Sequence, residues 1–170
     1  GSKYWIIDSL ANIDINILSK IIANKKILKV IHGSQQDLEI FKNLNMIASP
    51  VFDTQIAAQF CGYEQPISYA NAVLKICKIN IDKKLQNSDW LKRPVSKTAI
   101  EYLKNDVRYL KKIYLHFDKI LKKNKNRLFF NEEMIAQNNS SKIISSSIIR
   151  KKINSDSINN KKFQNLLLTR

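Results

Sequence analysis

The sequence has little cysteine, little acid and no long apolar run. Its two cysteines, Cys61 and Cys77, show no CxxC spacing and no neighbouring histidine pair, which argues against a disulfide framework or a zinc site and reads as reduced core thiols. No stretch approaches the ~18 consecutive apolar residues of a membrane span, and the N-terminus has no charged-then-apolar signal region. The expectation is a cytoplasmic protein with no membrane partner. No internal repeat is present either. Acidic residues number 14 against 29 Lys and Arg, a formal net charge of +15. Such an excess points to a polyanionic partner such as nucleic acid. The inference is weakened because Ile, Lys and Asn make up 68 of 170 residues, a bias that A/T-rich codons impose whatever a protein does. The distribution of charge says more: residues 121–170 hold 11 basic and 3 acidic side chains, so +8 of the +15 lies there.

What is present reads as globular, with 44% hydrophobic and 25% charged residues, and the length suits one domain plus a tail. Tyr4 to Ile7 is a short apolar run that predicts a strand. Asp14 predicts a cap for a helical period through Ile17, Ile21 and Ile22. Ile27 to Ile31 is the clearest strand, running into His32-Gly33-Ser34, a turn from which a helix starts near Gln35 with Leu38, Ile40, Phe41 and Leu44 as its apolar stripe. Pro50 to Phe52 predicts a third strand. Asp53-Thr54 then reads as the N-cap of a helix over Gln55 to Phe60 that Gly62 ends. Further helices are expected over Ser68 to Cys77 and, as the longest, from Ser96 to about Lys122, where Ile100, Leu103, Val107, Leu110, Ile113 and Leu115 recur at helical spacing. This order of strands and helices predicts an α/β layer fold. Past Lys122 the apolar residues lose their sustained period, and residues 131–170 contain seven Asn and seven Ser. That composition predicts a basic tail over 123–170, partly helical (Arg127 to Ala136) or disordered.

Chemistry is concentrated in two places. Tyr102 and Asp106 lie four apart on the last long helix, so their side chains share one face, a spacing that suits a carboxylate holding a metal beside a phenol that orients a water. An isolated pair of this kind is nevertheless common on ordinary solvated helices. Asp37 falls in the first turn of the helix after the Ile27 strand, in the crevice outside the strand's carboxyl end where α/β sheets place ligands. On position alone it reads first as a carboxylate complementing the helix dipole.

Whole segments in order decide between these readings. Lys29-Val30-Ile31-His32-Gly33-Ser34-Gln35-Gln36-Asp37-Leu38-Glu39-Ile40-Phe41, then Phe52-Asp53-Thr54-Gln55-Ile56-Ala57-Ala58 with Gly62-Tyr63, then Ser88-Asp89-Trp90-Leu91-Lys92-Arg93-Pro94, and finally Tyr102 to Asp106 with Val107, Tyr109 and Leu110, together resemble ribonuclease D across roughly residues 4 to 120. The resemblance implies a DEDD 3′-5′ exonuclease of the YxxxD type, with a ribonuclease H-like α/β fold over residues 3–122 and two-metal hydrolysis of RNA from its 3′ end. It maps the family's second motif onto Asp37 and its third onto Tyr102 and Asp106, with Asp37 and Asp106 as ligands of Mg2+ or Mn2+. It also marks His32, Asp53 and Trp90 as structural positions.

Two parts of the family pattern are missing. No Asp-x-Glu precedes the first apolar run, so the first motif is absent and the fold is expected to be incomplete at its N-terminus. Asp8 is not a substitute, since it lies in a segment resembling a later strand. The C-terminal helical domain of the family is also expected to be missing. Two divalent cations need more carboxylate oxygens than Asp37 and Asp106 supply, so this chain alone is expected to be inactive and aggregation-prone, with unpaired strand edges. The resemblance implies RNA 3′ ends, including tRNA precursors, as partners, with Lys92 and Arg93 beside Trp90 as backbone contacts. A missing N-terminal segment or another copy of the chain would complete the site. The alternatives are a catalytically dead RNA-binding or scaffolding relative and a decayed gene product.

Overall fold

The computed structural model describes residues 3–8, 10–12, 14–63, 65–82 and 88–139. Its elements run α1 (Asn16–Ile22), β1 (Lys29–Ile31), α2 (Gln35–Asn43), β2 (Val51–Asp53), α3 (Thr54–Phe60), α4 (Tyr69–Ala72, continuing as a π-helical turn over Val73–Cys77), α5 (Lys97–Arg108), α6 (Leu110–Lys123) and α7 (Arg127–Asn139). β1 and β2 pair in parallel, Val30 opposite Phe52 and Ile31 opposite Asp53, with α2 as the crossover. Parallel strands joined through a helix are the unit the alternation of strand and helix predicts. No helix among the described residues is long and apolar enough to cross a membrane.

The main core lies where β2, α3, α4, α6 and α7 meet. Phe52, Ala57, Ala58, Val73, Ile113, Phe117, Leu121 and Phe130 are each no more than 1% exposed. Phe52 packs its ring 4.6 Å from Phe130 and 4.8 Å from Tyr114. A smaller cluster of Ile22, Leu38, Met46 and Ala48 sits under α1 and α2. The packed body therefore extends past Lys122 into α7, whose Phe130 and Met134 are buried. An ion pair from Arg127 on α7 to the buried Asp118 on α6, with Lys122 2.7 Å from the same carboxylate, holds the two helices together. Residues 140–170, which carry most of the expected tail, lie outside the described residues.

Lys29 is the one buried lysine among the described residues. Its Nζ donates to the carbonyls of Asn24 (2.9 Å), Ile27 (2.7 Å) and Ser49. Burial pushes its pKa below the ordinary lysine value, because the charged form loses water that the carbonyls only partly replace.

The predicted strand over Tyr4 to Ile7 does not form. Residues 3–8 are irregular, and Trp5 is 84% exposed. A strand exists only through pairing, and residues 3–8 pair with neither β1 nor β2,. The long helix predicted from Ser96 to about Lys122 is likewise broken at Tyr109 into α5 and α6.

Candidate active site

The site is built at the carboxyl end of β1, where the chain turns through His32-Gly33-Ser34. Gly33 takes φ +71, a backbone that favours glycine. The turn is held from the next strand. Asp53 is 1% exposed and accepts from Gly33 N (3.0 Å), Ser34 N (2.6 Å) and Ser34 Oγ (2.8 Å). The same carboxylate caps α3 through Gln55 N (2.7 Å) and Ile56 N (3.3 Å). One side chain thus fixes both the start of α2 and the start of α3. His32 lies with Nδ1 2.8 Å from Thr54 Oγ1 and Nε2 2.9 Å from Ile67 O. A carbonyl only accepts, so Nε2 carries a hydrogen, and burial holds the ring's pKa below the ordinary value,. His32 and Asp53 are structural, as the sequence implies.

α2 presents Asp37 from its first turn. The carboxyl is exposed, yet surrounding protein displaces enough of its water, and Asp53 adds enough negative charge, to raise its pKa above the ordinary aspartate value. On α5, capped by Ser96 Oγ accepting from Ala99 N at 3.1 Å, Tyr102 and Asp106 are both half-buried. Desolvation raises the Asp106 pKa. Desolvation and the Asp106 charge together raise that of Tyr102, keeping it a neutral phenol at pH 7. Trp90 packs against Tyr102 with ring centroids 5.7 Å apart, its expected structural role.

A chain of contacts links α5 to the β1 end. The Tyr69 ring stands edge-on to His32 at 5.6 Å, and its hydroxyl donates to Asn105 O (2.9 Å) and accepts from Tyr109 N (3.2 Å). Asn105 adjoins Asp106. Tyr69 was not legible as a site residue; only the Ser68 cap marks its place in the sequence, as the first residue of α4.

Some acids among the described residues are held in ion pairs; Asp37 and Asp106, like Asp14, Glu39 and Asp89, are not. Asp8 is bound by Arg93, Glu101 by Lys104 and Arg108, and Asp118 by Lys122 and Arg127. Among the described residues no cation or side-chain donor pairs with Asp37 or Asp106. Two hard-oxygen carboxylates left unneutralised fit a divalent metal in chemistry. They fall short in number, since no group of three or more His, Cys, Asp or Glu among the described residues could hold a metal. The single Asp-x-Glu triplet, Asp37-Leu38-Glu39, does not make up the deficit. It lies on α2, where residues two apart point to different faces, and Leu38 between them is buried in the core.

Lys92 is exposed. Arg93 is already engaged: Nε and Nη2 hold Asp8 at 2.7 and 2.6 Å, and Nη1 donates to Trp90 O and Lys92 O. That pairing and the Leu10 backbone N–H lower the Asp8 pKa to about 2.

A family model described as 3′-5′ exonuclease matches residues 1–122. Ribonuclease D of Bartonella henselae is 38% identical over 131 residues, covering 76% of this chain and 32% of its own length. Ribonuclease D of Pseudomonas paraeruginosa is 32% identical over 126 residues, covering 74% and 34%. The chain thus spans about a third of the length of these curated relatives. Among solved structures, Escherichia coli RNase D, described as an exoribonuclease involved in structured RNA processing, aligns with TM-score 0.75 and 27% identity over 87% of this chain and 40% of its own. The catalytic core of RRP6 from Trypanosoma brucei shares the fold at TM-score 0.69 and 23% identity, over 86% of this chain and 41% of its own.

Proposed function

The chain belongs to the 3′-5′ exonuclease family, with a ribonuclease D-like, ribonuclease H-type α/β fold, and from that premise we propose that it supplies half of the acid set of an exoribonuclease acting on RNA 3′ ends, tRNA precursors among them. The observation that carries this reading is the pair of unneutralised carboxylates, Asp37 and Asp106, with the neutral phenol of Tyr102 one helical turn from Asp106.

Asp37 and Asp106 would hold the metal ions. Mg2+ or Mn2+ held there would supply positive charge at the scissile phosphodiester and lower the pKa of an attacking water. Tyr102, with its proton retained, orients that water by hydrogen bonding. The hydrolysis adds this water across the terminal P–O bond, leaving a phosphate on the released nucleotide and a new 3′-hydroxyl on the shortened RNA. Lys92 contributes an exposed cation for the backbone, whereas Arg93 would have to release Asp8 before it met a phosphate.

The missing acids come, in this reading, from a strand that pairs beside β1, in an upstream segment or another copy of the chain. The exposed Trp5, Ile6, Ile7, Ile27 and Leu28 support it as apolar surface awaiting cover,. The test compares the 170-residue chain with a longer one that adds an upstream Asp-x-Glu strand, on 5′-labelled RNA with Mg2+ or Mn2+. The longer chain is expected to shorten the RNA stepwise and to lose that activity on Asp106→Asn. Metal-dependent hydrolysis by the 170 residues alone, abolished by Asp37→Asn, would show that another carboxylate completes the site.

A second reading, a catalytically inactive RNA-binding or scaffolding module, is favoured by the lack of any three-acid group among the described residues. Salt-sensitive RNA binding by both chains with no hydrolysis by either would select it.

A further inference from the structure

α5 carries Tyr102 and Asp106, yet it has no fully buried side chain. Core packing therefore does little to set its direction. Its aim is determined largely at its two ends, and the C-terminal end is the break at Tyr109 where α6 begins. In an uninterrupted helix the Tyr109 N–H would donate to the Asn105 carbonyl, four residues back. Here the hydroxyl of Tyr69 stands in that rung, giving its proton to Asn105 O at 2.9 Å and receiving the Tyr109 N–H at 3.2 Å. A side chain inserted into the backbone ladder is a recognised cause of a kink. The same helix continues into a firmly anchored body, since Ile113, Phe117 and Leu121 of α6 are 0% exposed. The inserted hydroxyl thus sits at the joint between a fixed helix and a loosely packed one.

Tyr69 is itself held. It opens α4 behind the Ser68 cap, and its ring lies edge-on to His32, which Thr54 and Ile67 hold through both ring nitrogens. His32 lies five residues before Asp37 on the turn that launches α2. The phenol therefore spans the two parts of the site, touching the β1 end with its ring and the α5–α6 joint with its hydroxyl.

We propose that Tyr69 is a positioning residue, whose hydroxyl, standing in the Asn105–Tyr109 rung, fixes the break between α5 and α6 that directs Tyr102 and Asp106 of α5 toward Asp37. Its bearing on catalysis rests on the exonuclease reading; its bearing on geometry does not. Without the hydroxyl the rung either closes directly and straightens the helix or stays open, and in both cases the turn holding Asp106 changes direction or order.

The experiment is Tyr69→Phe, read in two ways beside an Ile113→Val control that removes a buried methyl group from the adjacent core. In the 170-residue chain, NMR follows the amide resonances of Tyr102 to Tyr109. Tyr69→Phe is expected to move them, and Ile113→Val to leave them in place. If Tyr69→Phe leaves them as in the native chain, or if the control moves them equally, the proposal is overturned. In the longer chain with the Asp-x-Glu strand, Tyr69→Phe is expected to lower kcat about 10- to 100-fold with KM for RNA unchanged, the signature of misplaced reacting groups. An unchanged kcat there also overturns it. A longer native chain that hydrolyses nothing refutes the exonuclease reading, while the NMR result still decides the positioning claim.

Discussion

Replacing Asp53 by Asn keeps the volume of the side chain and removes one of its two acceptor oxygens. The buried carboxylate serves Gly33 N, Gln55 N and Ile56 N through Oδ1, and Ser34 N and Ser34 Oγ through Oδ2. In its better orientation the amide keeps oxygen at the Oδ1 place and points NH2 at Ser34. The Ser34 hydroxyl can then reverse and accept, but the Ser34 N–H, 2.6 Å from its former partner, has none. An unpaired buried donor costs about 1–3 kcal/mol, and the surviving bonds lose charge assistance worth about 1 kcal/mol more. The expected destabilisation is thus ~2–4 kcal/mol, a large part of the ~5–15 kcal/mol that holds an ordinary domain folded. Urea unfolding followed by circular dichroism should show the midpoint falling with the slope unchanged. A second readout is independent of stability: because the Asp53 charge helps raise the Asp37 pKa, the Asp37 titration in the folded variant should move down. A change in stability within about 0.5 kcal/mol, as at an ordinary surface site, together with an unmoved Asp37 titration, would refute this account of the turn.

Three further outcomes follow from the same structure. Desolvation raises the pKa of Asp106 above the ordinary 3.8 and, with help from Asp53, that of Asp37. A raised folded pKa costs stability as pH rises past the unfolded value, so Asp37→Asn and Asp106→Asn should each stabilise the protein at pH 7, with the gain vanishing below about pH 4 in denaturation curves. Phe130→Ala should cost about 3–5 kcal/mol by the same unfolding assay if α7 is part of the packed body rather than an appended segment. The half-buried Cys61, whose pKa desolvation pushes up to about 12, and the buried Cys77 should label with a thiol reagent far more slowly in the native protein than on unfolding; equally rapid labelling of both states would contradict this packing.

The elements that the sequence made legible are those whose causes are local. Asp53-Thr54 and Ser96 announce α3 and α5 because an N-cap needs only the next few N–H groups,. β1 and β2 are legible as apolar runs on either side of a helical period. Tyr4 to Ile7 has the same composition and is irregular, since pairing is supplied from elsewhere in space. The periodicity of Ile100 to Leu115 passes through Tyr109 unbroken, so the break could not be read: its cause is a hydroxyl 40 residues away in sequence. Val107 and Leu115 belong to that pattern and are 50% and 54% exposed, which shows that an apolar stripe names a face without naming its cover. Asp37 and Asp106 are legible as candidates from position and spacing, and only the family resemblance lifts them above ordinary helix carboxylates. Their lack of a counter-cation is a property of the folded arrangement.

Lys29 changes how the charge of this chain should be weighed. Three carbonyl oxygens from Asn24, Ile27 and Ser49 surround its ammonium much as they would a bound potassium ion, so one of the lysines functions as a built-in counter-ion to backbone dipoles. It closes the loop before β1 onto the loop before β2, and no polyanion can compete for it without opening both. Formal net charge counts it with the surface lysines. A ligand approaching the surface does not meet this buried ammonium, and an arginine, flat and forked, could not take the place of a point charge inside that ring of oxygens.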